Sequence, residues 1–412
     1  MKRRVVITGM GSVNPLGSSV AETWENACNG RSGIAPITLF DATELKTQIG
    51  GEVKGFDPVA LFGRRDARRM DRVNQLAVAA ANEAMEQSGL TINDENRYRV
   101  GVVIGSGVGG VGALIENVNT FNEKGARRVS PFFIPMMLPD TAPGHIAIVH
   151  NLRGPNMSIA TACASSNNAM GEAMRMIQRG DADAILTGGT ETGVVAECIA
   201  GFNAMGALST RNETPTTASR PFDLSRDGFV PGEGAAILVF EALEHAQARG
   251  ATIYGEILGY GTSADAYHMS APLENGEGAM QAMRLALKDA GLEPADVDYI
   301  NAHGTSTPLN DSSETLALKG VFGDAIRDIP VSSTKSMHGH LLGATSALEA
   351  VICFEAMRAG MAPPTINYET ADPECDLDYV PNKARPADIK VAMSNGFGFG
   401  GHNAVVVLGK YA

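Results

Sequence analysis

The chain has 412 residues, with 46 acidic side chains against 33 basic ones, a formal net charge of −13, 44% apolar residues and 47 glycines. That length calls for two domains or one large duplicated body with ample core, and the apolar share argues against disorder. The acidic balance argues against a nucleic-acid surface, which needs clustered Lys and Arg, and no run of residues approaches a membrane span.

The first residues, Lys2-Arg3-Arg4 and then Val5-Val6-Ile7-Thr8, turn apolar but break at Gly9, too soon for a signal peptide. A buried first strand over 4–8 is expected. Further strands are expected at 100–104, 184–188, 235–240, 297–301 and 404–408, from short runs rich in β-branched residues. Helices are expected over 66–88, 164–179, 278–290 and 341–359, with Gly89, Gly180, Gly291 and Gly360 as stops. The alternation is an α/β signature.

Four segments recur in the same order. The strand and glycine turn at 5–11 has a counterpart at 253–261. Val100–Gly107 is echoed by Val297–Gly304, the stretch 161–180 by 336–360, and Gly232–Phe240 by Gly400–Leu408. This predicts two similar halves, 1–250 and 251–412, and the absence of a Pro- or Ser-rich linker predicts that they pack as one body.

Along the chain, the first unusual feature is the run Arg64-Arg65-Asp66-Ala67-Arg68-Arg69-Met70-Asp71-Arg72. On a helix, Arg64, Arg68 and Arg72 share one face with Arg65 and Arg69 adjacent, while Met70, Val73, Leu76 and Ala77 form an apolar face. Such a run is either a solvated face or a basic docking site. Next, Gly105-Ser106-Gly107-Val108-Gly109-Gly110 satisfies a dinucleotide fingerprint after a strand, but no acidic residue closes a second strand about twenty positions on. Nucleotide binding is not expected.

In Ser158-Ile159-Ala160-Thr161-Ala162-Cys163-Ala164-Ser165, a strand-like run ends in small residues and a thiol stands where a helix begins. Unpaired N–H groups and the dipole at a helix start favour thiolate, and small neighbours leave room for a substrate. A buried structural cysteine is the plainer reading. Two histidines in glycine-rich turns decide between them: His303 in Asn301–Thr307, and His340 in Ser333–His340 with Lys335 nearby. A soft nucleophile, proton-handling imidazoles and backbone donors are what thioester chemistry needs. The loop Ser394–Asn403, carrying Phe397 and Phe399 among glycines, brings backbone N–H groups close to a ligand and can serve as a lid. The five cysteines are odd in number and lack metal spacing, which suits a reducing cytoplasm.

Together these motifs resemble the β-ketoacyl-acyl-carrier-protein synthases, condensing enzymes of the thiolase superfamily, and among them the type II elongation synthases. The resemblance spans the chain: Val5–Gly9, Asp265-Ala266-Tyr267-His268-Met269, Asn301–Pro308, Ser333–Met337, Gly339–Ala344 and the Gly398–Gly401 loop. It implies a thiolase-like duplicated five-layer α/β/α/β/α fold, a homodimer, and acyl carrier protein as partner in acyl- and malonyl-phosphopantetheine forms. By resemblance, Cys163 accepts the acyl chain, His303 and His340 assist decarboxylation of the malonyl group, and the N–H groups of Cys163 and Phe399 form the oxyanion hole. Lys335 orients this site with Glu349 as its partner. Thr305 and Thr307 bind the pantetheine arm, Phe399 is the gate with Phe397 beside it, and Val108, Phe133 and Phe202 wall the acyl pocket. Arg64, Arg65, Arg68, Arg69 and Arg72 are the carrier docking site, with Arg127 and Arg128 extending it. No metal or redox cofactor is required, although a monovalent cation near Asn301, Glu349 and Asn395 occurs in relatives.

Some residues depart from the family pattern. Ser166 and Asn168 follow the nucleophile where Gly and His are common, and Asn310 stands where Gly is common, which suggests a positive φ. His338 and His402 are expected to be structural. A polyketide or specialised-lipid ketosynthase and a non-catalytic partner subunit remain as alternatives, the latter disfavoured by the presence of Cys163. A degradative thiolase is less favoured, because it wants a second cysteine where Phe399 stands.

Overall fold

A computed structural model of the chain describes residues 2–411. Ten strands carry the architecture: β1 (Val5–Val13), β2 (Val100–Gly105), β3 (Asn156–Ile159), β4 (Ala184–Thr192), β5 (Glu233–Ala242), β6 (Gly255–Ala264), β7 (Tyr299–Asn301), β8 (Val331–Ser332), β9 (Val391–Gly398) and β10 (His402–Gly409). Their order is β8-β7-β9-β10-β6-β1-β5-β4-β2-β3. Read outward from the centre, β1-β5-β4-β2-β3 on one side repeats as β6-β10-β9-β7-β8 on the other. The two five-strand units join only where Val5–Ile7 pairs with Gly255–Ile257.

Four helices pack on this frame: α1 (Arg72–Ser88), α2 (Ser165–Arg179), α3 (Glu277–Ala290) and α4 (Thr345–Ala359). Helix α1 covers β1, β5 and β4, and α3 covers β6 and β10, while α2 and α4 touch strands of both units and lie between them. The layers therefore run α1, first sheet, α2 with α4, second sheet, α3, the thiolase-like five-layer α/β/α/β/α arrangement.

Strand periodicity explains how one sheet serves two interfaces. Leu238 and Phe240 face the central core with Met170, Met174, Leu348 and Phe354, whereas Ile237 and Val239 face α1. In the other half, Val406 and Leu408 face that same central core and Val405 and Val407 face α3. Alternate residues bury on opposite faces, so both are apolar. Glycine pairs set the outer spacing. A Cβ on Gly9 or Gly11 would sit 2.2 Å from Ala84 O or 2.0 Å from Ala80 O of α1; on Gly259 or Gly261 it would sit 2.4 Å from Ala286 O or 2.2 Å from Ala282 O of α3. Each half thus presses an Ala-Ala ridge against a Gly-x-Gly strand.

The predicted strands are present and mostly longer than expected. The helix expected over 66–88 is instead two. A helix over Pro58–Ala67, interrupted at Gly63 with φ 75°, ends at Arg68, and Asp71 caps α1 by accepting from the N–H of Val73 at 3.0 Å. Asp71 outcompetes helix continuation because its carboxylate satisfies a free N–H of the next helix. The shared face expected for Arg64, Arg68 and Arg72 does not form.

Candidate active site

The position of Cys163 follows from the turn between β3 and α2. Ala162 adopts φ 50°, the left-handed region, and Cys163 comes next, two residues before the first residue of α2. This reversal aims the thiol out of the helix start into a cavity of about 490 Å³. Cys163, Val108, Phe202, His303, Thr305, Thr307, His340, Phe397 and Phe399 all line it.

The Cys163 sulfur lies 3.0 Å from His340 Nε2, and His340 Nδ1 lies 3.0 Å from Thr345 Oγ1. The pattern fits a neutral imidazole that accepts from the thiol and donates to Thr345. The His303 and His340 rings meet edge to face with centroids 5.5 Å apart, and the His303 ring also abuts Phe397 at 5.6 Å. Backbone N–H groups of Cys163 and Phe399 point at the sulfur. That approach needs Gly398, where a Cβ would stand 2.6 Å from Thr161 O and 3.1 Å from Cys163 N.

Electrostatics departs from the expected thiolate. Burial pushes the Cys163 thiol up to about 12, against the downward pull of Lys335 and of the two N–H groups. Burial also holds both His303 and His340 well below the usual histidine range, with the Lys335 charge adding to it. The resting site is a neutral thiol beside neutral imidazoles. Lys335 and Glu349 form a fully buried ion pair, Nζ to Oε1 at 2.6 Å, and burial lifts Glu349 to about 7.

Two buried carboxylates escaped the sequence reading. Glu314 accepts from the N–H groups of His303 at 2.8 Å and Gly304 at 2.7 Å, and from Asn395 Nδ2 at 3.0 Å, so it fixes the histidine loop. Glu191 accepts from the turn at 106–109. The signal for Glu314 was an acidic residue two turns into the helix Pro308–Phe322 that Thr307 caps; nothing local marked Glu191 in its strand.

Other expectations are placed or corrected. Thr305 Oγ1 and Thr307 Oγ1 are 2.9 Å apart on the cavity wall. His338 is buried, bonded to Gly339 O and Thr334 Oγ1, and lowered to about 3, a structural histidine; His402 is exposed. Asn310 lies in the helix Pro308–Phe322 rather than at positive φ, and its side chain donates to Asp311 at 3.1 Å. Phe133 does not line the cavity of the single chain; it begins the short helix Phe133–Met137. Arg72 is not available for docking. It is bonded to both oxygens of buried Glu233 at 2.6 and 2.7 Å and stacks over Phe56, while Arg64, Arg65, Arg68 and Arg69 are exposed.

Asn301 Oδ1, Asn395 Oδ1 and Glu349 Oε2 are buried without a hydrogen-bond partner. Three lone oxygen acceptors are a donor set that suits a hard monovalent cation and no soft metal.

Comparison with known proteins places this geometry. The N-terminal domain model of β-ketoacyl synthases matches residues 2–246 and the C-terminal domain model matches 254–369. The chain is 53% identical over 409 residues to 3-oxoacyl-[acyl-carrier-protein] synthase 2 of Staphylococcus aureus, covering 99% of each, and 50% identical over 410 residues to that of Synechocystis sp., covering 100% of this chain and 99% of the other. Among solved structures, a β-ketoacyl synthase from Burkholderia phymatum superposes with TM-score 0.92 at 38% identity, covering 100% of both chains. A type II polyketide ketosynthase solved with its acyl carrier protein superposes with TM-score 0.92 at 36% identity, again over 100% of both.

Proposed function

The chain belongs to the β-ketoacyl synthase family, and from that membership we propose that it is a 3-oxoacyl-acyl-carrier-protein synthase of fatty acid chain elongation. It accepts an acyl chain on Cys163 and condenses it with malonyl-carrier protein with loss of carbon dioxide. The observation that carries the residue roles is the 3.0 Å contact between the Cys163 sulfur and His340 Nε2 at the base of one cavity.

In acylation, the sulfur attacks the thioester carbonyl, its proton passes to His340 Nε2, and the N–H groups of Cys163 and Phe399 hold the oxyanion. The carrier thiol leaves with a proton. In condensation, the malonyl C–C bond breaks, carbon dioxide departs, and the imidazoles stabilise the enolate oxygen. Neutral histidines suit that role because they can offer an N–H without adding charge, His340 doing so at Nε2 in the tautomer whose Nδ1 accepts from the Thr345 hydroxyl. The carbanion then attacks the acyl carbonyl and the Cys163 sulfur leaves. Lys335 draws both the thiolate and neutral imidazoles into favour with one charge.

The carrier protein is proposed to dock on Arg64, Arg65, Arg68 and Arg69, with Arg127 and Arg128, all exposed on a chain whose net charge is −13. The partner subunit is proposed to be a second copy. Edge strand β3 exposes Asn156 and Met157, and Leu114, Val118, Phe121, Ile134 and Ile148 are exposed on neighbouring helices, an apolar area of the kind that marks interfaces. Among the described residues no helix is long and apolar enough to cross a membrane, and all five cysteines are free, which suits a reducing compartment. The halves are proposed to divide near residue 250, the first carrying the nucleophile and the second the histidines.

The polyketide alternative is the weaker one. The solved ketosynthase of a type II polyketide system is 36% identical, against 50–53% for the 3-oxoacyl-[acyl-carrier-protein] synthases. A thiol already paired with His340 speaks against a non-catalytic subunit. The test is to mix the protein with carrier-bound primers and read mass on Cys163, then add malonyl-carrier protein. A Cys163 adduct that malonyl-carrier consumes, absent in Cys163→Ala, is expected; no adduct on the wild-type protein overturns the reading.

A further inference from the structure

The glycine turn Gly105–Gly110 looks like a phosphate cradle and is already full. Glu191 in β4 is 1% exposed, and its carboxylate fills the turn from within. It accepts from Ser106 Oγ at 2.9 Å, from Gly107 N at 2.5 Å, and from the N–H groups of Val108 and Gly109, each at 3.3 Å. A fifth donor comes from the other half of the molecule: Gly343 N, at 3.2 Å, in the turn before α4. Among the described residues no Lys or Arg forms an ion pair with it. Burial pushes the Glu191 carboxyl above the usual carboxylate range, and the surrounding donors pull the other way, toward the anion that can accept from all of them.

The fit leaves no slack. A Cβ on Gly107 would stand 2.9 Å from Glu191 Oε2, and one on Gly343 would stand 2.4 Å from Gly107 N and 2.7 Å from the same oxygen. The residues next to these two glycines, Val108 and Leu342, both line the cavity that holds Cys163, and Gly107 lines it too. One buried carboxyl therefore fixes the distance between two adjoining backbone segments that both contribute to the cavity wall.

We propose that Glu191 is a positioning residue that sets the shape of the acyl end of the cavity by tying the 106–109 turn to the turn at Gly343. It touches no reacting atom. It acts through Val108 and Leu342, on how well a chain longer than a few carbons fits once its carbonyl is at Cys163. The inference rests on the condensing-enzyme reading above and names a determinant of chain acceptance within it.

The experiment compares Glu191→Gln with the wild-type protein in acylation of Cys163 by carrier-bound primers of graded length. Gln keeps the size, removes the charge and points an NH₂ at N–H donors, so the two turns part. Expected is a rise in KM for long primers of about tenfold, the loss of one or two charge-assisted hydrogen bonds, with kcat and the KM for a two-carbon primer within about twofold of wild type. Ser106→Ala, which removes one donor and lies outside the cavity lining, is expected to move the same ratio in the same direction by a smaller factor, and it carries the test if Glu191→Gln does not fold. An unchanged long-to-short ratio in a folded variant, or an equal loss at every length, overturns the proposal. Failure of the wild-type protein to acylate at all would instead count against the condensing-enzyme reading.

Discussion

The turns that feed the two central helices share a backbone and differ in what they carry. Ala162 has φ 50° and Leu342 has φ 47°; each stands three residues before a 15-residue helix, and those helices end at Gly180 and Gly360, both left-handed. The position after the left-handed residue is Cys163 in one half and Gly343 in the other. In the first half that position presents a thiol to the cavity. In the second it has no side chain, and the space is taken by Gly107 and the Glu191 carboxylate. Duplication supplied a geometry twice, and the polar side chains then divided the labour: in the proposed reaction the first half contributes the nucleophile and the Cys163 N–H, the second the imidazoles, Lys335, Glu349 and the Phe399 N–H.

If the labour is divided in this way, one substitution in the second half separates the two half-reactions. His303 meets His340 and Phe397 but is not bonded to the sulfur. His303→Ala is expected to leave Cys163 acylation within about threefold of wild type while condensation falls by about 10²–10⁴, the usual weight of a positioned proton-handling or hydrogen-bonding group. Adduct mass and carbon dioxide release measure the two steps on one sample. A parallel loss in both would erase the distinction between the halves.

The next effect is on stability. Lys335 and Glu349 are 1% and 0% exposed in their side chains, with Nζ and Oε1 2.6 Å apart. Among the described residues no counterpart pair occupies the first half, where Ala169 stands at the position equivalent to Glu349. Lys335→Met leaves the carboxylate buried and unpaired, and a cost of about 3–5 kcal/mol is expected. The double variant Lys335→Met/Glu349→Leu removes that orphan charge and should recover much of the loss in denaturant unfolding while remaining inactive. If the double variant is no more stable than the single one, the pair is not what holds α4 in place.

The sequence made the scaffold and the main site legible for definite reasons. The Gly-x-Gly strands, the alternating apolar runs and the glycine stops are local signals, so four ordered echoes revealed the duplication. Cys163, His303 and His340 stand in small-residue turns whose motifs read without long-range knowledge. What stayed hidden depends on partners distant in the chain. Arg72 looked like part of a basic face until Glu233, 161 residues away, was seen to bind it. Glu191 could not be linked to Gly343 by any spacing rule, and the thiolate expected from a helix start was overridden by burial, which periodicity cannot weigh.

The smallest effect probes the seam between the halves. Ser166, one of the departures from the family pattern, is fully buried in the first turn of α2, and its Oγ accepts from the N–H of Ala347 at 3.0 Å in the first turn of α4. That N–H is one of the free donors of a helix start, so Ser166 caps the opposite helix across the pseudo-symmetry. Its counterpart Ser346 has a buried Oγ with no partner, so the exchange runs one way. Ser166→Ala is expected to lower unfolding free energy by about 1 kcal/mol, or somewhat more if the N–H finds no water. Ser346→Ala, which removes an unpaired hydroxyl, should be neutral or slightly stabilising. Equal destabilisation by the two would mean that the seam is symmetric after all, and that the difference between the halves begins at Cys163 and not before it.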